Sequence, residues 1–136
     1  LKTDAKTLDS AIVKAEPGSL TLPLDSCTPI VAPGVDLAKP GIYKWEIEGD
    51  GVYIGKYSKA SRPTREYRRN VIRILNEKKS HHPDGSFRWV HEALAQAVRD
   101  KRKITLTILA NADKADLNRT EQQFIQSENA NLNGRR

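Results

Sequence analysis

Cysteine occurs once in the 136 residues, at Cys27, so neither an internal disulfide nor a thiolate zinc site can be built from this chain. A reducing compartment is compatible with that. No apolar run approaches the roughly 18 residues a bilayer demands, and no basic start followed by an apolar stretch marks a secretory signal. Aromatic residues are 6% of the chain, too few to furnish an exposed base-stacking platform. Internal repeats and low-complexity segments are absent as well. What is there, 38% hydrophobic and 29% charged residues, suits one globular domain of ordinary size. The expectation is a soluble intracellular protein, without a membrane partner.

Positive charge is concentrated. The formal net charge is +6, yet residues 1–60 carry seven Lys/Arg against eight Asp/Glu, and the excess lies beyond them. Residues 56–79 alone hold nine cations (Lys56, Lys59, Arg62, Arg65, Arg68, Arg69, Arg73, Lys78, Lys79) against Glu66 and Glu77. A local excess of this kind attracts polyanions by Coulomb attraction and counterion release, which makes nucleic acid the first partner to consider.

Residues 1–40 read as an irregular N-terminal extension. Pro17, Gly18, Pro23, Pro29, Pro33, Gly34 and Pro40 leave room for at most a short helix near Asp4–Lys14 and short extended pieces. The domain proper spans 41–136. Tyr43, Trp45 and Ile47 alternate with Lys44, Glu46 and Glu48, the period of a half-buried strand, and Val52-Tyr53-Ile54-Gly55 returns after Gly49-Asp50-Gly51. A three-residue loop with Gly51 in the left-handed position pairs Ile47 with Tyr53 and puts Tyr43 and Tyr53 on one face. Arg62–Lys79 has helical periodicity, with Pro63 in the first turn, an apolar stripe of Tyr67, Val71, Ile74 and Leu75, and a ridge of Arg62, Arg65, Arg69 and Arg73. A loop at His81–Gly85 precedes a second helix, Phe87–Lys101, capped by Ser86. Lys103–Leu109 alternates again as a third, central strand. A last helix covers Lys114–Asn129 with Asp113 as its cap. The fold class expected is α/β of the α+β type: a small three-stranded, mainly antiparallel sheet flanked by three helices.

Glu121 breaks the pattern of the last helix. It projects with Leu117, Phe124 and Ile125 inside the apolar stripe, where an unpaired carboxylate costs several kcal/mol, so it should meet a cation, either an Arg or a metal ion. His81, His82 and His91 lack a completing Cys or carboxylate pair, and loop histidines that contact phosphate suit them better than a metal site. Cys27 has no obvious His or Asp partner in the extension for nucleophilic work, and Trp89 is expected in the interior or between helices.

Gly41-Ile42-Tyr43, followed by Tyr53-Ile54-Gly55 on consecutive strands, with a basic helix and then a Glu-bearing helix, resembles the signature of the GIY-YIG nucleases over about residues 41–134. Lys56 matches the lysine common after the second motif, Glu121 the family's acidic metal ligand, and Asn133 its terminal Asn. Asn129 and Asn131 are alternatives to Asn133, since the usual neighbouring Pro is missing. The family's catalytic Arg falls here on Pro63; Arg62 and Arg65 flank it, and Arg65 is favoured. The resemblance implies a GIY-YIG-like fold and hydrolysis of a DNA phosphodiester by in-line attack of water, with Mg²⁺ (or Mn²⁺) held by Glu121. It further implies that Tyr43 or Tyr53 takes the proton from water, with Lys56 and the arginine ridge favouring the phenolate, and that Arg65 pairs with the phosphate oxygens. Arg62, Arg65, Arg69, Arg73 and Lys59 would hold the DNA. A cytoplasmic, nucleoid-associated location follows, and cutting both strands requires a dimer or two successive events. The runner-up is a catalytically inactive nucleic-acid-binding module on the same fold.

Overall fold

The structure, a computed structural model, describes residues 29–78 and 88–134. The alternating stretches form strands and the 3.6-period stretches form helices. Strands β1 (Ile30–Val31), β2 (Gly41–Ile47), β3 (Gly51–Tyr57) and β4 (Ile104–Asn111) make one sheet in the order β1-β4-β2-β3. Strand β2 is antiparallel to both its neighbours, and β1 runs parallel to β4. The sheet therefore has four strands, not the three expected. The extra one has two residues, too short for a period, and is recruited by pairing Ile30 with Thr107 and Val31 with Ile108. Residues that follow it are tied to the sheet through Asn111, whose side chain accepts from Asp36 N–H at 2.8 Å and donates to the carbonyls of Asp36, Lys39 and Pro40.

Helix α1 (Tyr67–Leu75) follows a π-helical turn, Arg62–Glu66, marked by the Glu66 N–H bonding Ser61 O at 2.9 Å. This replaces the continuous helix expected to Lys79: the chain leaves the helix at Asn76, and Glu77 takes φ 59°. Helix α2 (Trp89–Arg99) is the second helix, shorter than Phe87–Lys101; Ser86 and Phe87 lie outside the described residues. A 3₁₀ turn at Lys114–Asp116 leads into α3 (Leu117–Ser127), and Asp113 makes no side-chain cap.

The sheet is covered on both faces. Tyr43, Trp45, Ile47, Tyr53 and Tyr57, with Leu106 and Ile108 of β4, pack with Tyr67 and Val71 of α1 and with Val90, Leu94 and Val98 of α2. On the opposite face Ile42 and Ile54 pack with Leu117 of α3 and with Ala130, bordered by Phe124 and Ile125. The period of two thus serves both layers, which is why Ile42 of β2 and Ile54 of β3 are also buried.

The hairpin register differs from the expected one by two residues. Ile47 faces Gly51, Trp45 faces Tyr53 and Tyr43 faces Gly55. Gly49 takes the left-handed turn position at φ 85°, and Gly51, at φ 132°, starts β3. A shift of two preserves the face, so the tyrosines still point the same way.

Strand β3 is an edge, and a polar clamp closes part of it. Asn131 accepts from Val52 N–H at 2.9 Å and donates to Asp50 O at 2.8 Å. Asn133 accepts from Ile54 N–H at 2.8 Å and donates to Ile54 O at 2.7 Å. The two amides act as a miniature neighbouring strand. Ile54 is fully buried, so losing its clamp leaves two backbone groups without partners. Asn133→Ala is expected to destabilise the fold by about 2 kcal/mol in urea denaturation, and Asn133→Asp by at least as much, because a carboxylate cannot donate to Ile54 O.

Candidate active site

Along the C-terminal half of β3, beyond the asparagine clamp, the sheet edge opens into a cleft of ≈ 500 Å³. It collects side chains from both faces: Tyr43, Tyr53 and Arg88 from the side of α1 and α2, and Lys56, Leu117 and Glu121 from the side of α3. Lys59, Arg62 and Glu66 complete its rim.

Gly55 makes this geometry possible. The Tyr43 ring lies so close to it that a Cβ there would overlap the ring's Cζ and hydroxyl. Without a side chain at 55, Tyr43 crosses over its β3 neighbour and reaches the cleft while only 1% exposed.

Behind Tyr43 stands Tyr67, which the sequence presents only as part of an apolar stripe. Their hydroxyls are 2.6 Å apart and their rings meet edge to face at 5.6 Å. Burial pushes the Tyr43 phenol up to about 12, although the Tyr67 hydroxyl, Arg88 and Arg62 pull the other way. The expectation that nearby cations make Tyr43 an accessible phenolate is therefore corrected: desolvation outweighs them. Burial also carries Tyr67 well above the ordinary range. Tyr53 is 8% exposed, and its hydroxyl accepts a hydrogen bond from Arg88, whose guanidinium stands 5.6 Å from the ring centroid.

Glu121 meets a cation, as its place in the apolar stripe required, but the partner is Lys56 and not the Arg or metal ion expected. The separation is 3.7 Å, an ion pair too long for a hydrogen bond, while Lys56 Nζ donates to Asn118 Oδ1 one turn earlier on α3. The Glu121 side chain is 16% exposed and, among the described residues, accepts no hydrogen bond. Its oxygens are open towards the cleft. A Mg²⁺ that keeps most of its water needs only one or two protein carboxylates, so Glu121 fits that demand. No group of three or more His, Cys, Asp or Glu occurs among the described residues, which leaves no denser donor set there.

The arginines divide. Arg62 lines the cleft and pairs with Glu66 at 3.8 Å; Arg65, the favoured candidate, is exposed and does not line it. The π turn is the reason: its extra residue changes the angular register between Arg62 and the rest of the ridge. Arg69 and Arg73 also lie outside the cleft lining, Arg69 exposed and Arg73 partly so. Asn133 clamps β3 rather than lining the cleft, and so does Asn131. Cys27, His81 and His82 lie outside the described residues. His91 lies in α2, within the helix expected there, 7% exposed and edge-on to Tyr67 at 4.8 Å, with Nδ1 unpartnered among the described residues. Trp89 sits between elements as expected, donating to Leu132 O at 3.0 Å. Sequence reasoning missed Tyr67, Arg88 and Asn118; Arg88 lies directly beside a helix start with no motif around it.

Two outcomes follow. Gly55→Ala should cost about 1–3 kcal/mol in denaturant unfolding and drive Tyr43 from the cleft. Burial, reinforced by Arg88 and Arg62, lowers the His91 pKa from 6.5 to about 4. The unfolded chain therefore binds more protons between those values, and stability falls as pH drops through that window, by up to about 3 kcal/mol at its lower end. Stability curves at pH 7 and pH 4 should show this loss in the wild type and its reduction in His91→Leu.

Comparison of the chain with protein-family models, with curated proteins and with solved structures returned no match.

Proposed function

We propose that this chain is a divalent-metal-dependent DNA endonuclease of the GIY-YIG type. The observation that carries the reading is Glu121: a partly buried carboxylate that accepts no hydrogen bond from the described residues and opens on a cleft shared with Tyr43, Tyr53, Lys56 and Arg62. Such a carboxylate beside cations suits a metal ion, and the cations suit a phosphate. Mg²⁺ or Mn²⁺ bound at Glu121 supplies charge neutralisation of the scissile phosphate and of the leaving 3′ oxygen.

The chain's own groups do the rest. A water oxygen bonds to phosphorus opposite the 3′ oxygen, and the P–O3′ bond breaks with its electron pair. One water proton passes to a tyrosine oxygen as that tyrosine's own phenolic proton leaves to solvent, and the 3′ oxygen takes a proton from solvent, leaving a 5′-phosphate and a 3′-hydroxyl. We assign the acceptor role to Tyr53 because it lines the cleft and its hydroxyl is held by Arg88, whereas burial makes Tyr43 hold its proton up to about 12. Tyr43 instead offers a fixed hydroxyl to the reacting oxygens. Arg62 takes the phosphate-pairing role expected of Arg65, and Lys56 places a positive charge 3.7 Å from the Glu121 carboxylate. Arg65 and Arg69, exposed along the helix, hold flanking phosphates.

The second reading, a binding module without catalysis, draws support from the same Tyr43, a phenol too basic to act at neutral pH. The two separate in a plasmid assay. The wild type should nick supercoiled DNA with Mg²⁺ or Mn²⁺ and stop with EDTA, and Glu121→Ala should be slower by at least about a hundredfold. Equal cutting by both proteins would overturn the role of Glu121. Binding without cutting, across metals and across plasmid, branched-DNA and RNA substrates, would establish the binding module.

A further inference from the structure

Arg88 occupies a position that helix physics disfavours. It is the N-cap of α2, where Ser, Thr, Asp or Asn would bond the free N–H groups, and it makes no side-chain cap. Its positive charge stands at the positive end of the helix dipole, an arrangement costing a few tenths of a kcal/mol to about 1 kcal/mol. A cation retained against both effects calls for a counterpart. Among the described residues no carboxylate provides it: Arg88 donates to the Tyr53 hydroxyl, interacts with that of Tyr43, and its guanidinium faces the Tyr53 ring.

Charge in the cleft points the same way. Lys56, Lys59, Arg62 and Arg88 line it against Glu66 and Glu121, two positive charges in excess. Lys56 is paired with Glu121 and Arg62 with Glu66. Lys59 is exposed on a flexible stem at the rim. Among the described residues that line the cleft, Arg88 combines a charge without a carboxylate partner with a head held by Tyr53 through both ring and hydroxyl. One N–H is used on Tyr53, and the planar fork retains others for an incoming acceptor.

We propose that Arg88 is a catalytic guanidinium that binds a non-bridging oxygen of the scissile phosphate, arriving from α2 and not from the arginine ridge. The proposal rests on the nuclease reading and adds a residue to it. Arg88 joins the two halves of the chemistry, since the guanidinium that receives the phosphate charge also fixes the hydroxyl of Tyr53. Its donors are in place before charge develops on the phosphate, which is when such donors are most effective.

Steady-state cleavage by wild type, Arg88→Gln and Arg88→Lys tests this. Gln retains bulk and a donor for the Tyr53 hydroxyl without the charge. Arg88→Gln should lower kcat by about 100- to 1000-fold while KM changes by less than about threefold, the pattern of a contact made in the transition state. Arg88→Lys should recover part of the rate, and millimolar guanidinium should partly rescue Arg88→Ala, which a purely structural role would not allow. A kcat for Arg88→Gln within about threefold of wild type, or a loss confined to KM, would overturn the proposal while leaving the nuclease reading intact. A wild type that cuts nothing removes both.

Discussion

The ring of Tyr43 rests against the backbone of Gly55, and the cleft depends on that contact. A side chain at 55 would lift the ring away from the strand and unseat its hydroxyl from Tyr67. The contact also explains the hairpin register: Tyr43 and Gly55 are directly opposed, so a large residue is matched to an absent side chain. A slip of one residue would put Tyr43 and Tyr53 on opposite faces, and a slip of two would set Tyr53 or Tyr57 directly opposite Tyr43. Close packing and register are the same constraint here.

From that contact the architecture extends along β3. Its first half is bound by the Asn131 and Asn133 amides, which satisfy outward backbone groups from Asp50 to Ile54. Its second half is left to the cleft. An edge strand has two faces but only one rim, and a site at the rim can draw on both layers of core. Tyr53 comes from the α2 side, and Lys56, three residues on, comes from the α3 side. A site on a single face would have offered either the tyrosines or the Lys56–Glu121 pair.

Period and polarity made much of this legible in the sequence. The alternation through Tyr43–Ile47 located the hairpin, and Glu121 within the apolar stripe announced a cationic partner, found in Lys56. Features without a period were not legible. Ile30–Val31 is too short to alternate, and its pairing with β4 depends on contacts about 77 residues away along the chain. The π turn at Arg62–Glu66 has no propensity signature beyond Pro63, yet it decides which arginine enters the cleft. The resemblance singled out Asn133 but could not tell a backbone clamp from a cleft residue, since an amide suits both. The sign of the Tyr43 shift was equally out of reach: adjacent cations are visible in sequence, whereas desolvation by Tyr67 and the surrounding core is a property of packing.

The electrostatics then divide the cleft into a neutral floor and a charged rim. Tyr43, Tyr67 and His91 form a contiguous buried group, linked by the 2.6 Å hydroxyl contact and the 4.8 Å ring contact. Burial keeps each of them uncharged near neutral pH, raising the phenols and lowering the imidazole. A neutral, closely packed floor is a poor dielectric screen, so charges above it interact more strongly than they would in water. The cations at the rim also repel a proton from His91, which is why Arg88 and Arg62 contribute to its lowered pKa. The same field that keeps His91 neutral favours an anion over the cleft. The apolar core beneath the sheet and the excess of positive charge at its edge are therefore two parts of one arrangement: the core supplies the low dielectric, and the guanidinium of Arg88, which has no carboxylate partner among the described residues, supplies the charge that it makes effective.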